Sequence, residues 1–332
     1  MGAGADEHRV KSFIAADVGG THARVARVDV DASGHAQLSH FTKYAGAEHP
    51  SLAAVFERFL ATHEMRGIRH GVVACAGYAI DGAIVHTNLP WPVAIEPIRA
   101  ALGFDELALV NDFEAVAYAT PHLAEGETTT LVAGDPAARG PTLVVGPGTG
   151  LGAAVRIPGA RHATILRTEA GQAAFAPSSE VEIEVLKRLR GHTTHVSNEH
   201  LLSGPGLVTL YTTLCEIDGA TPTLRAPAEI SAAAIGGTDA TARRALAVFC
   251  GLMGSVVGDL VLLYGAQGGV FLAGGVVPQI KQYLVASAFR ARFLDKGPMR
   301  ALLERVPVKL AEHEALGVLG AAHGYLDRRA RN

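Results

Sequence analysis

Cysteine is scarce in this chain: Cys75, Cys215 and Cys250 are the only three, and they lie far apart. No CxxC pair or zinc-type spacing occurs, which excludes a disulfide framework and a structural zinc site and fits a reducing, cytoplasmic setting. An excess of charge of one sign is also missing. A net charge of -3 over 332 residues gives no broad field for nucleic acid or a membrane surface. There is no Walker sequence GxxxxGK[ST], no GxSxG elbow and no HExxH. The most apolar region, 247–277, is interrupted by Asp259 and several glycines, so a buried helix followed by a buried strand is expected rather than a membrane span. The start, "MGAGADEHRVK", is polar and carries two acids, unlike a secretory signal. Its Met-Gly opening meets Asp6 where myristoylation needs Ser or Thr.

What is present is ordinary globular material. An apolar fraction of 48% with 18% charged residues supplies a sizeable core, and the length suggests two domains. "FIAADV" and "ARVARVDV" read as strands joined at Gly19-Gly20, with "DASGH" as a second turn. "SLAAVFERFLATHEM" spaces Leu52, Val55, Phe56, Phe59 and Leu60 as a helix face. "HGVVACAGYA" reads as a buried strand, "IEPIRAALGF" as a helix ending near Gly103, and "LALV" as a strand leading into the helix "FEAVAYA". "GPTLVVGPGTGLGAAVRIP" repeats the opening pattern of apolar strand, glycine turn and strand, suggesting two related domains. A capping box, Ser179-x-x-Glu182, opens the next helix, with Val181, Val185, Leu186 and Leu189 on one face. "SGPGLVTLYTTLCEI" reads as a helix and "GGVFLAGGVVP" as a strand running into a Gly-Gly turn. The terminal "DRRARN" reads as a solvated tail. Alternating strands and helices make the class α/β.

The glycine turns carry the first chemistry. A dinucleotide fingerprint needs strand, glycine loop, then helix, but "DVGGTHARVARV" and "VVGPGTGLGAAVRI" each run from strand to strand. They are hairpins, whose exposed N–H groups can cradle phosphate where no Cβ blocks the approach. Either could equally be an ordinary tight turn. Their equivalent places in two halves, with a third site at "FLAGG", favour phosphate. Asp17, ending the first strand, is a turn cap or a carboxylate that holds Mg²⁺ through water.

The second chemistry is a set of uncharged and acidic polar groups. "LVNDFEAV" sets Asn111 and Asp112 at a strand end, where α/β sheets usually place ligands. Asp112 can also be the helix N-cap. "HTNLPWP" adds Asn88 beside the only tryptophan, Trp91, where a turn with a packed aromatic is the plain alternative. "EAGQ" adds Glu169 and Gln172. "VSNEHLLSGPG" adds Glu199, which can instead complement a helix dipole. With few cations nearby in sequence, this set suits a neutral polyhydroxylated ligand: carboxylates accept hydroxyl hydrogen bonds and carboxamides give and accept them. His192, His195 and His200 read as a polar loop more readily than as a metal site.

The segments "DVGGTHARVARVD", "TNLPW", "LVNDFEAVAYA", "GPGTGLGAA", "EAGQAAFAPSSE", "LLSGPGLVTLY", "GGVFLAGGVVP" and "FRARFLDKG" occur in the order seen in bacterial glucokinases of the non-repressor type. The sequence resembles that branch of the actin/hexokinase-like ATPase superfamily over nearly its whole length. The resemblance implies two ribonuclease H-like domains with a cleft that closes on sugar. Residues 1–121 with 313–332 would form the small domain and 122–312 the large one. It implies ATP- and Mg²⁺-dependent phosphorylation of a hexose 6-hydroxyl, most simply glucose, in a cytoplasmic homodimer. Asp112 matches the catalytic base. Asn88, Asn111, Asp112, Glu169 and Glu199 match sugar-binding positions. Asp17, Gly19, Gly20 and Thr21 match the first phosphate loop, Gly148, Thr149 and Gly150 the second, and Gly274-Gly275 the adenosine motif.

The pattern departs from the family at two places. The family usually reads Glu-Gly-Gly-His where this chain has Glu169-Ala170-Gly171-Gln172, so Gln172 stands where a sugar-bonding His is usual and Ala170 adds a methyl. His22 stands where the first loop usually has Asn. Two alternatives follow: a kinase for another hexose, or a weakly active sugar-sensing paralogue.

Overall fold

A computed structural model describes residues 10–80, 83–85, 89 and 91–331. Asn88 lies outside the described residues, as do the N-terminal segment 1–9 and Asn332. Contacts divide the chain into two compact units, Met1–Leu123 with His313–Asn332, and Ala124–Glu312.

The first unit is built on strands β1 (Ser12–Val18), β2 (His22–Val30), β3 (Ala36–Ala45), β4 (His70–Cys75) and β7 (Glu106–Asn111). The "HGVVACAGYA" strand stops at Cys75. A positive φ of 112° at Gly77 turns the chain into the short antiparallel pair β5 (Tyr78–Ile80) and β6 (Ala83–Val85). The five-stranded order is β3-β2-β1-β4-β7. The pairs β1–β2 and β2–β3 are antiparallel, while β1–β4 and β4–β7 are parallel. Helices α1 (Leu52–Thr62), α2 (Ile95–Leu102) and α3 (Asp112–Ala119), with the C-terminal helix Leu316–Arg331, complete the unit.

Alternation along β1 sorts its two faces. Ile14, Ala16 and Val18 join the core with α1 and α2 residues, whereas Phe13 and Ala15 join Ala115, Val318 and Ala322 of α3 and the C-terminal helix. Asp17 therefore belongs to the C-terminal helix face. The run "DRRARN" is not a solvated tail. Through Arg331 it is the last turn of that helix, and Arg328 donates to the Leu109 carbonyl at 2.7 Å and to Glu114 at 2.9 Å. Arg329 bonds Glu106.

The second unit contains β8 (Thr128–Val132), β9 (Thr142–Pro147), β10 (Leu151–Ile157), β11 (Thr164–Thr168), β12 (Gly269–Leu272) and β13 (Val308–Ala311), ordered β11-β10-β9-β12-β13-β8. Its first five strands reproduce the first unit: an antiparallel meander β9-β10-β11 followed by parallel β12 and β13. The suspected repeat is thus one ribonuclease H-like sheet built twice, with β8 added at an edge. The helices are α4 (Glu180–Arg190), α5 (Gly204–Ile217), α6 (Pro227–Gly236), α7 (Ala240–Tyr264), α8 (Lys281–Ala286), α9 (Phe289–Leu294) and α10 (Arg300–Leu303). Helix α7 is long and apolar enough to cross a membrane, but it is mostly buried inside the unit and is followed by the buried strand β12, as expected. The α4 capping box is displaced by one residue. Ser179 Oγ accepts the Glu182 N–H, while Glu182 accepts from the Ser178 N–H at 2.7 Å and from Arg292 at 2.9 Å.

Candidate active site

Register assembles the first group. Val18 pairs with Cys75, and Cys75 with Asn111. The parallel strands β1, β4 and β7 thus end in one row, bringing Asp17 and Asp112 to the same sheet edge. Asp17 lies opposite Arg24 on β2, and Arg24 Nη1 donates to its Oδ2 at 3.3 Å. Burial raises the Asp17 carboxyl above its ordinary value, and Arg24 opposes the rise. The C-terminal helix begins against the same carboxyl: a Cβ on Gly317 would lie 2.6 Å from Asp17 Cγ. Burial pushes the Cys75 thiol up to about 12, and the Asp112 and Asp17 carboxylates add to the rise.

Asp112 is not the N-cap of α3. Asn111 is, with backbone angles of -66° and 146° and its Oδ1 accepting the Glu114 N–H at 3.1 Å. Asp112 is the first helical residue, and its Oδ1 accepts the Phe113 N–H at 2.9 Å. In the first turn the helix field favours the ionised carboxylate. Asn111 is therefore the residue that caps α3.

Hydrogen bonds assemble the second group, in the second unit. Glu169 is exposed, and its carbonyl accepts the Gln172 N–H at 2.8 Å. The Gln172 side chain donates from Nε2 to Glu199 Oε1 at 2.9 Å, and the Gln172 backbone carbonyl accepts from His195 Nε2 at 2.9 Å. Glu199 Oε2 accepts the Leu151 N–H at 2.7 Å. The Glu199 N–H donates to the Gly171 carbonyl at 2.9 Å. Glu169, Gln172 and Glu199 thus share one loop cluster. Glu199 does not complement the α5 dipole, because its carboxylate is turned to Leu151 and Gln172, and Ser203 caps that helix. His195 and His200 serve as loop hydrogen-bonding groups, the latter with Ser197.

The glycines divide by cause. A Cβ on Gly150 would lie 2.5 Å from Glu199 Oε2 and would displace that side chain. Gly274 has φ of +88° and would meet the Pro147 carbonyl oxygen at 2.5 Å, and Gly171 would meet the Leu151 carbonyl. By contrast, a Cβ at Gly148 or Gly275 meets nothing within 4 Å, and one at Gly19 meets only the His22 carbonyl at 3.9 Å. No protein neighbour requires glycine at these three, one in each turn. Gly20, Thr21 and Thr149 are exposed at the tips of the first two turns. The methyl that Ala170 adds is buried in the second unit's core, and the Ala170 N–H donates to Thr168 Oγ1 at 3.0 Å. Burial, then Lys43 and Arg24, lowers the His22 imidazole.

Sequence reasoning missed Arg24, Gly317 and the Leu151 N–H, and read His195 as part of a polar loop without finding its partner, the Gln172 backbone carbonyl. Strand alternation placed Arg24 on the Asp17 face once the hairpin was known. Gly317 gave no local signal, because it makes room for Asp17, near the other end of the chain.

A glucokinase family model matches residues 14–328. The chain belongs to the glucokinase family. It is 45% identical over 328 residues to a glucokinase-like protein of Xylella fastidiosa (strain 9a5c), with 98% of each chain covered. It is 39% identical over 311 residues to a glucokinase of Klebsiella pneumoniae (strain 342), covering 94% of this chain and 96% of that one. A solved glucokinase from an Antarctic psychrotroph superposes with a TM-score of 0.83 at 33% identity, covering 95% of this chain and 99% of the other. The resemblance carried by the sequence motifs and the actin-like, two-unit α/β fold of the glucokinase family both hold.

Proposed function

We propose that this protein transfers the terminal phosphoryl group of ATP to the 6-hydroxyl of a hexose, with glucose the preferred substrate, at the entry to glycolysis. The observation that carries the reading is Asp112. It sits at a strand end, in the first turn of a helix that another residue caps, within a chain of the glucokinase family. A carboxylate there is a weak base for an alcohol. That suffices where a loose transition state gives up the proton late and positioning supplies most of the catalysis.

Asp112 takes the proton of the 6-hydroxyl. Asn88, Asn111, Glu169, Gln172 and Glu199 hold the other hydroxyls, the carboxylates as acceptors and the amides as both. The turns at Gly19-Gly20-Thr21 and Gly148-Thr149-Gly150 present N–H groups to the phosphates, and Gly274-Gly275 lies against the adenosine. Gly19, Gly148 and Gly275, where an added Cβ would meet nothing closer than 3.9 Å, support this reading, since phosphate oxygens approaching the turns need that space. Asp17 fits Mg²⁺, which prefers oxygen donors and keeps much of its water. Such an ion would neutralise charge on the phosphates. The working form is a cytoplasmic homodimer.

Gln172, in place of the usual His, favours one second reading: the same chemistry on mannose, fructose or an amino sugar. A panel of hexoses with ATP and Mg²⁺ decides, with kcat/KM expected to be highest for glucose. A higher value for another hexose selects the second reading. Sugar binding by calorimetry without turnover of any hexose selects a sensor.

A further inference from the structure

Glu199 stands where two loops of the second unit meet. Its Oε2 accepts the N–H of Leu151, the residue that follows the Gly148–Gly150 turn, at 2.7 Å. Its Oε1 accepts from Gln172 Nε2 at 2.9 Å. The fit at the turn is tight, because a Cβ on Gly150 would lie 2.5 Å from Oε2. A second route joins the same parts. Ser203 Oγ donates to the Glu199 carbonyl at 2.9 Å and accepts the Gly206 N–H as cap of α5. The next residue, Gly204, donates its N–H to the Gly148 carbonyl at 2.8 Å. One carboxylate therefore has one oxygen on the phosphate turn and the other on the sugar loop.

We infer that Glu199 is a positioning residue for the nucleotide turn, in addition to its contact with sugar, and that it couples the two affinities. This rests on the proposed assignment of the 148–150 turn to phosphate and the 169–172 loop to hexose. A carboxylate accepting an N–H forms a charge-assisted bond, the stronger class of hydrogen bond. A sugar hydroxyl donating to Oε1 competes with the Gln172 amide and so shifts the carboxylate whose Oε2 holds the turn, which gives the two ligands a shared element. Coupling of this kind is reciprocal: the factor by which sugar changes nucleotide affinity is the factor by which nucleotide changes sugar affinity.

The test is calorimetry on the full chain with Mg²⁺-AMPPNP and no sugar. Loss of the carboxylate in Glu199→Ala is expected to weaken nucleotide binding roughly tenfold, the scale of one charged hydrogen bond partly compensated by water. Glu199→Gln keeps an oxygen for the Leu151 N–H, and its affinity should return to within about threefold of the unaltered chain. The reciprocal variant is Gly150→Ala. Although it lies on the nucleotide turn, it should weaken glucose binding roughly tenfold in the absence of nucleotide, by pushing Glu199 aside, and the factor by which AMPPNP changes glucose affinity in the unaltered chain should fall to about one in this variant. Unchanged nucleotide affinity in Glu199→Ala, or unchanged glucose affinity in Gly150→Ala, overturns the inference and leaves Glu199 a sugar contact alone. If Glu199→Ala does not fold, the Gly150→Ala measurement still decides. Failure of the underlying assignment looks different: the unaltered chain then binds no AMPPNP or no glucose, and both readings fall.

Discussion

The two units share one strand order but deliver their polar groups in opposite ways. In the first, Asp17 lies within β1 and Asp112 directly follows β7, so sheet register places both carboxylates. In the second, the strand corresponding to β1 is β9, which has Gly146 where β1 has Asp17, and the strand corresponding to β7 is β13, whose next residue, Glu312, is tied to Lys281 and Thr129. There the polar groups arrive on loops, tied by the Gln172–Glu199, Glu199–Leu151 and His195–Gln172 bonds. Groups set by register cannot be moved without rebuilding a sheet. Groups set by a few side-chain bonds can be retuned by one substitution. On the proposed function, the general base comes from the register-set group of the first unit, and the sugar contacts open to retuning come from the loop-held group of the second.

Asp112→Ala tests the first half of that assignment and carries the largest expected effect. Hexose phosphorylation should fall about 10³-fold or more in kcat, the scale of a lost general base. Because Asn111 caps α3, the melting temperature should barely move. Retained turnover in a coupled ATP assay would remove Asp112 from its role.

The shared architecture can be broken at one backbone approach in each unit. A Cβ at Gly146 would overlap the Ala273 carbonyl oxygen, and one at Gly320 the Ala115 carbonyl oxygen. Neither neighbour is a flexible side chain, so Gly146→Ala and Gly320→Ala should each destabilise by about 3 kcal/mol. Denaturant unfolding checks both. A loss in only one of them would show that the two units tolerate the approach differently.

The sequence made the alternation of strands and helices legible, because apolar spacing and glycine turns are local signals. It also showed the repeat: "DVGGT" and "GPGTG" announce two equivalent hairpins. Asp112 was legible as a strand-end acid, though its capping role belongs to Asn111, one residue earlier. What stayed hidden lay in contacts between distant segments. Nothing near residue 317 says that its glycine makes room for Asp17. Nothing in "TEAGQ" says that Gln172 holds Glu199, or that the Ala170 methyl turns into the core.

Acid should separate the units by a smaller margin. His323, in the C-terminal helix of the first unit, stacks on His122 with ring centroids 3.4 Å apart. Burial, then His122 and His35, lowers its pKa to about 4 from an ordinary 6.5. The unfolded chain therefore binds a proton there before the folded chain does. Stability from this group is fully present above pH 6.5 and is lost as pH falls toward 4. The loss is on the order of 2 kcal/mol, allowing for partial exposure. Calorimetric melts across that window should show the decline, and His323→Phe should flatten it.

Gln172→His is the smallest change and the sharpest test of the second half. It restores the family's usual residue on the one loop whose geometry depends on side-chain bonds. An imidazole can still donate to Glu199 and can also meet a sugar hydroxyl, so glucose kcat/KM should rise about three- to tenfold, the worth of one hydrogen bond. The gain should appear mainly in KM, since Asp112 and its sheet are untouched. The loop has a reason to resist: His195 already holds the residue-172 carbonyl, and Glu199 is committed to Leu151. An unchanged or lower kcat/KM would therefore mean that the surrounding bonds are built around glutamine. Sugar discrimination would then belong to the whole loop cluster rather than to the side chain at 172.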